Sequence, residues 1–222
     1  MDDKLDLIFE GLKQKSSVKQ QIFRITKEVF EHMKQVSVEI VDQLSERISA
    51  VDPTVVVEYK SISDYEFHVK FSGDLLVFVM HSNVVTFHEN HPIMKTDYVK
   101  EDFSRRFFGH IMAYNFMADS ILYSRMSDPG YLLGRLLINH EKHFFIEGAK
   151  ELDLRSQDIS KYVIDDETLR TIVESTMIAS INNDLMAPPV DDIQKITVRE
   201  KVENQQVSRG TKLGFHFSYQ GL

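Results

Sequence analysis

The chain has 222 residues, of which 42% are hydrophobic and 27% charged, and this composition excludes a disordered, collagen-like or supercharged polypeptide and predicts a hydrophobic core. Its formal net charge of −8 disfavours nucleic acid and anionic lipid as partners, because the chain as a whole repels phosphate groups. The absence of cysteine excludes disulfides, zinc sites with cysteine ligands, iron–sulfur clusters and thiol nucleophiles.

The start of the chain predicts neither export nor membrane insertion. Residues 2–4 are two aspartates and a lysine, and an amphipathic stretch follows in place of the apolar run of a secretory signal. The longest obvious apolar run, residues 75–80, falls far short of the roughly 18 residues that a membrane-spanning helix requires. We therefore expect a cytoplasmic protein with no membrane partner.

The segment after the first 17 residues has apolar residues with a helical period. They recur every three or four positions from Val18 to Ile48 and predict one amphipathic helix over about residues 17–50. At 1.5 Å per residue this helix would be roughly 50 Å long, which is more than the width of a domain of this size. It therefore either packs lengthwise on its own domain or carries a homodimer contact. The candidate dimer-interface residues are Ile22, Ile25, Val29 and Met33.

A short amphipathic helix is predicted ahead of the long one. Its apolar positions are Leu5, Ile8, Phe9 and Leu12, and it ends near the Ser16–Ser17 pair. Residues 1–50 are thus predicted to form an N-terminal helical arm. Residues 51–222 are predicted to form an α+β domain, and the arm and the domain are expected to make one cooperative unit.

Beyond Pro53 the period changes from helical to two, which predicts an antiparallel meander. Its strands are expected at about residues 55–60, 65–71, 75–81 and 84–88. Both faces of the third strand are apolar, so the sheet needs cover on each side. On the second strand Glu66, His68 and Lys70 alternate, and they form either a ligand-binding polar cluster or a half-exposed strand face.

The second half of the chain continues the α+β pattern. A helical period predicts a helix over about residues 97–126, and a hairpin follows with strands at about 131–139 and 143–148 and a two-residue turn, Glu141–Lys142. Asp165 or Asp166 caps a further helix that reaches Ile181. Two more strands are predicted within residues 193–219. The fold class is therefore α+β, with an antiparallel sheet of about six to eight strands covered by helices.

Two His-x-x-His spacings suggest a metal site. They are His88 with His91, and His140 with His143, which the predicted turn would place opposite each other. Two imidazoles on a hairpin can share one zinc ion, but a site needs further ligands, such as His81, Glu89 or Glu147. The alternative is that these histidines are simply solvated.

The chain contains no sequence motif that is diagnostic of a particular enzymatic reaction. The sequence has no Gly-x-Ser-x-Gly elbow and no glycine-rich phosphate loop, which disfavours serine hydrolases and the common ATP and dinucleotide enzymes. Glu58 and Lys60 on the first strand resemble the Glu-x-Lys element of a metal-dependent nuclease. The nearest upstream acid, Asp52, lies at the entrance of the same strand, where the geometry for such a site is poor.

These residues point to no family and no cofactor, and they leave open whether the protein is an enzyme. We expect a non-catalytic interaction or small-ligand-sensing protein that self-associates as a homodimer through its long N-terminal helix, with a protein or a small molecule as a further partner. The alternative is a metal-dependent hydrolase or nuclease that uses the histidines and carboxylates named above.

Overall fold

A long helix begins the chain in the computed structural model, which describes residues 4–148, 152, 158–183, 185–186, 194 and 211–212. Helix α1 (Lys4–Gly11) continues through a π-helical turn (Leu12–Ser16) into helix α2 (Ser17–Ser49). Both predicted N-terminal helices are present, and the Ser16–Ser17 pair lies within the helix and does not interrupt it.

The strands form one antiparallel meander. Each strand pairs with the next one along the chain, in the order β1-β2-β3-β4-β5-β6. Their bounds are Val57–Ser63 (β1), Glu66–Phe71 (β2), Asp74–Met80 (β3), Gly109–Met117 (β4), Tyr131–Ile138 (β5) and Phe144–Gly148 (β6). This six-stranded sheet with its helices confirms the predicted α+β class.

Helices cover one face of this sheet. Alternate strand residues such as Phe67, Phe78 and Leu136 are buried there against α2 and a C-terminal helix, α5 (Asp166–Ile181). The Asp165 carboxylate caps α5 by accepting a hydrogen bond from Thr168 N, as predicted. Burial of each large apolar side chain in this layer contributes about 1.5–3 kcal/mol to stability. The buried helix residues include Val29, Phe30, Met33, Ile40, Leu169, Val173 and Met177.

The segment between β3 and β4 covers one end of the opposite face. It contains two 3₁₀ turns (Pro92–Lys95 and Phe103–Arg106) and a short helix, α3 (Asp97–Glu101). Its apolar residues pack with strand residues in a second cluster, formed by Ile93, Val99, Phe108, Leu137, Phe145 and Ile159. The other end of this face keeps partly exposed side chains, among them Glu66, His68, Lys70, Val79, Met112, Tyr114 and Arg135.

The prediction of one helix over residues 97–126 is wrong. Strand β4 occupies the middle of that segment, between α3 and a short helix, α4 (Ala118–Leu122). Strand β4 lies inside the sheet and is largely apolar on both faces, so the alternation typical of a strand is hidden. The strand predicted at residues 84–88 is reduced to a single bridge between Val85 and Phe108.

The predicted hairpin of β5 and β6 is present, but its two-residue turn is wrong. Ile138 pairs with Phe144, so the connection has five residues, and Asn139 N donates to His143 O. The side-chain oxygen of Asn139 accepts hydrogen bonds from the backbone N–H groups of Glu141 and His143. Lys142 takes a positive φ of 63° in this loop. The side chain of Asn139 thus holds a wider turn, in which His140 is not opposite His143.

The C-terminal strands predicted within residues 193–219 lie mostly outside the described residues. Within them, β7 (Leu185–Met186) pairs antiparallel with β8 (Thr211–Lys212). Among the residues that the structure describes, no helix is long and apolar enough to cross a membrane.

Candidate functional site

The predicted polar cluster of β2 lies on the sheet face opposite α2 and α5. His68 Nε2 and Glu66 Oε1 are 2.7 Å apart and form a half-buried hydrogen-bonded pair. Lys70 lies at the other end of the strand, opposite Glu58 of β1, and has no ion-pair partner among the described residues. The structure therefore joins two of the three candidates and leaves the third apart from them.

A second polar cluster on the same face was not predicted as a unit. Arg135 of β5 and Glu147 of β6 are cross-strand neighbours, and the Arg135 guanidinium donates two hydrogen bonds to Glu147 Oε2. His91 Nε2 lies 3.0 Å from the other oxygen of Glu147. Phe87 stacks on the His91 ring at 4.1 Å and has the Arg135 guanidinium over its own ring at 5.5 Å. These residues come from distant parts of the chain, so local spacing carries no signal for them.

The sheet register shows how far apart the two polar clusters are. Glu66, Val79, Met112 and Arg135 occupy successive strands in one row. With neighbouring strands about 4.8 Å apart, Glu66 and Arg135 are separated by roughly 14 Å, with two apolar residues between them. Each cluster satisfies its own charges, and the two do not converge on a common point. Groups from the two clusters therefore cannot act together on one reacting atom, because acid–base catalysis needs them within hydrogen-bond reach of it.

Beside the Arg135 cluster, two histidines stack on one another. The rings of His81 and His110 are 4.6 Å apart, and His110 is buried with no hydrogen-bond partner for its Nδ1 atom. Burial, together with smaller electrostatic contributions from His81 and Arg135, lowers the pKa of His110 to about 4. His110 is therefore neutral at neutral pH and serves as part of the packed interior.

The predicted metal-binding histidines have separate environments. His88 is exposed and its Nδ1 accepts a hydrogen bond from Asn90 N, whereas His91 pairs with Glu147. His143 Nδ1 lies 2.7 Å from Ile159 O, and the wider hairpin loop leaves His140 out of register with it. Among the described residues, no three histidine or carboxylate side chains are arranged to hold a metal ion. The hydrolase alternative stays a prediction.

The four candidate dimer-interface residues lie on the face of α2 that packs against its own chain. Ile22, Val29 and Met33 are only 0%, 4% and 1% exposed, and Ile25 packs against the same core. The apolar stripe of α2 is thus used by the sheet and α5 of its own chain. Ile22, Val29 and Met33 therefore present almost no surface in this chain, whereas Ile25 is partly buried, and their part in a dimer contact stays a prediction.

Exposed apolar residues lie instead at the start of the same helix. Every residue from 4 to 17 is exposed, and we refer to these residues as the projecting segment. Its large apolar side chains are exposed to between 54% and 69% of their surface. They are Leu5, Leu7, Ile8, Phe9 and Leu12. The sequence marked four of these positions as one side of a helix, and the structure shows that no described residue buries them.

Comparisons with known proteins give no further guide to this arrangement. No protein-family model, curated protein or solved structure matches the chain.

Proposed function

We propose that this chain is a non-catalytic cytoplasmic interaction protein that self-associates through its projecting segment. The observation that supports this proposal is the exposed apolar stripe of Ile8, Phe9 and Leu12 on a helix anchored in the core. Scattered single apolar residues on a protein surface are ordinary, whereas a contiguous group of large ones marks an interaction site.

The buried part of the helix keeps the projecting segment helical. An isolated helix of fewer than about 12–15 residues is marginal in water, and the projecting segment is about that length. It is stable as a helix because it continues without a break into α2, where Ile22 and Phe30 are fully buried. The segment therefore extends roughly 20 Å from the body of the protein in a fixed direction, at 1.5 Å per residue.

The charge pattern of the segment fits a second copy as its partner. The first ten residues of the chain contain four acidic residues and one lysine, whereas the next ten contain three lysines and no acidic residue. Antiparallel pairing with Ile8 opposite Leu12 of the second copy brings Asp6 of one copy near Lys13 and Lys15 of the other. Parallel pairing would place like charges side by side.

Size-exclusion chromatography with light scattering tests this proposal. The double variant Ile8→Glu/Leu12→Glu is expected to lower the molar mass of the wild-type assembly, because two charges then lie in the apolar contact. The control variant Gln14→Glu/Gln21→Glu adds the same charge outside the stripe and should keep the wild-type mass. Since all four side chains are exposed, circular dichroism should show unchanged helix content. An Ile8→Glu/Leu12→Glu mass equal to that of the wild type would refute the proposal.

A further inference from the structure

Strand β1 is an edge of the sheet. Its register with β2 pairs Val57 with Phe71 and Tyr59 with Val69, and Ser72 N donates to Val56 O at 2.9 Å. In an antiparallel ladder the hydrogen-bonded pairs alternate with pairs that are not bonded. Because Val56 is bonded to β2, the next residues of β1 whose backbone groups bond to β2 are Glu58 and Lys60. Val57, Tyr59 and Ser61 point their backbone N–H and C=O groups away from β2.

This free edge is accessible. Five of the seven residues of β1 are exposed, while Val57 and Tyr59 are half-buried because their side chains pack against the core beneath α2. No hydrogen bond to the backbone groups of Val57, Tyr59 or Ser61 is found within the described part of the chain. Unpaired backbone groups on an edge strand form a ready template for another strand.

We infer that β1 pairs with β1 of a second copy, antiparallel and centred on Tyr59, so that two sheets join into one across a two-fold axis. In this register Val57 lies opposite Ser61 of the second copy, and Tyr59 lies opposite its own counterpart. All three pairs are of the hydrogen-bonded kind and together supply about six backbone hydrogen bonds. This surface is separate from the projecting segment.

Charge complementarity selects this register. It places Glu58 opposite Lys60 of the second copy and, by symmetry, Lys60 opposite Glu58. These are non-hydrogen-bonded pairs, in which the side chains are closest, with Cα atoms about 4.5 Å apart. Across β2, Glu58 lies opposite Lys70 and Lys60 lies opposite His68, and within the described residues neither Glu58 nor Lys60 forms an ion pair at 4.0 Å or less. The second copy adds an opposite charge on the free side of each residue.

The neighbouring registers are disfavoured by the same charges. The nearest registers that keep the free backbone groups of the two strands facing each other are centred on residue 58 or on residue 60. They place Glu58 opposite Glu58, or Lys60 opposite Lys60, across the two-fold axis. Like charges directly opposite one another destabilise a strand pair. An irregularity between Ser61 and Ser63 ends the regular edge, so the pairing is short and in fixed register.

The two proposed contacts have different consequences for assembly. Each alone gives a dimer, and both together give a tetramer or an open chain of copies. The β1 contact is therefore tested in the full-length Ile8→Glu/Leu12→Glu background, where the contact of the projecting segment is removed. If one of the two contacts does not exist, the other can still be tested.

Sedimentation equilibrium over a range of concentrations gives the dissociation constant of the remaining dimer. In that background Lys60→Glu or Glu58→Lys alone should weaken dimerisation at least about tenfold, because two attractive pairs become repulsive. The exchange Glu58→Lys/Lys60→Glu restores opposite charges and should return the constant to within about threefold of the parent. Lys95→Glu makes the same charge change at an exposed residue away from β1 and should have little effect.

Cysteine cross-linking supplies a second measurement, because the natural chain has no cysteine. In the same background Glu58→Cys/Lys60→Cys should give a covalent dimer under mild oxidation, since residues 58 and 60 face each other between copies at a distance that a disulfide can span. The shifted pair Glu58→Cys/Ile62→Cys should form the dimer far more slowly. A monomeric parent at the highest concentration, or a charge exchange that fails to restore dimerisation, would overturn the inference.

Discussion

The first part and the middle of the N-terminal helix have the same kind of sequence and opposite environments. Ile22, Phe30 and Met33 lie under the sheet and α5 and are almost fully buried, whereas Ile8, Phe9 and Leu12 are more than half exposed. The apolar period is similar in both parts, so it does not distinguish a core face from a binding face. The difference arises from the body of the protein, which covers the helix only from about residue 18 onward.

The largest expected effect comes from one substitution made in each of these two parts of the helix. Phe30→Ala should lower the free energy of unfolding by about 3–5 kcal/mol, because it leaves a cavity against Phe67 in the core. Phe9→Ala removes the same atoms from an exposed side chain and should change this free energy by less than about 0.5 kcal/mol.

Urea unfolding at low protein concentration measures both variants, since dilution removes the contribution of self-association. Phe9→Ala should instead weaken assembly at high concentration. Equal losses of stability in the two variants would mean that the projecting segment is buried in the folded monomer.

The pH dependence of stability separates the body of the protein from the projecting segment, which contains no histidine. The pKa of His110 is lowered to about 4 by burial, so the unfolded chain binds a proton at higher pH than the folded chain does. Stability from this residue is complete above pH 6.5 or so and is lost as the pH falls toward about 4, by up to about 3 kcal/mol.

The variant His110→Leu keeps an apolar side chain at this position and cannot be protonated. Urea unfolding at pH 7.5 and at pH 4.5 should show a smaller loss in this variant than in the wild type. Equal losses would show that His110 does not carry the acid sensitivity.

Much of the fold could be predicted from the sequence where one face of an element is polar. The alternation of Glu66, His68 and Lys70 with Phe67, Val69 and Phe71 identifies β2 and its two faces. The carboxylate of Asp165 likewise marks the start of α5. Strand β4 could not be identified in this way, because Ile111 and Ala113 face one apolar layer and the opposite side of the strand is also largely covered.

The candidate surfaces depend on arrangements that local spacing does not contain. His91 and Glu147 are far apart in the chain and meet only when the segment after β3 folds over β6. The free edge of β1 depends on strand order, since an identical strand placed inside the sheet would have no unpaired backbone groups. The charges of Glu58 and Lys60 are visible in the sequence, but their significance requires the register.

The smallest expected effects come from two glycines. One lies on β4 against the buried part of the helix, and the other lies in the projecting segment. A Cβ atom on Gly109 would overlap the side chain of Thr26, at the place where α2 crosses β4, so Gly109→Ala should cost about 1–3 kcal/mol of stability. Gly11 lies in the projecting segment, and a Cβ atom there meets no atom within 4 Å. Gly11→Ala should therefore raise helix stability by about 0.5–1 kcal/mol without any steric cost.

Thermal unfolding followed by circular dichroism measures both glycine variants. The melting temperature should fall for Gly109→Ala, and the helical signal of the projecting segment should persist to a higher temperature for Gly11→Ala. If Gly11→Ala also strengthens self-association, the gain arises from pre-organisation, because the substitution adds no apolar side chain to the stripe of Ile8, Phe9 and Leu12. A loss of stability in Gly11→Ala would instead show that another part of the protein packs closely against the projecting segment in solution, and would remove the basis for its role in self-association.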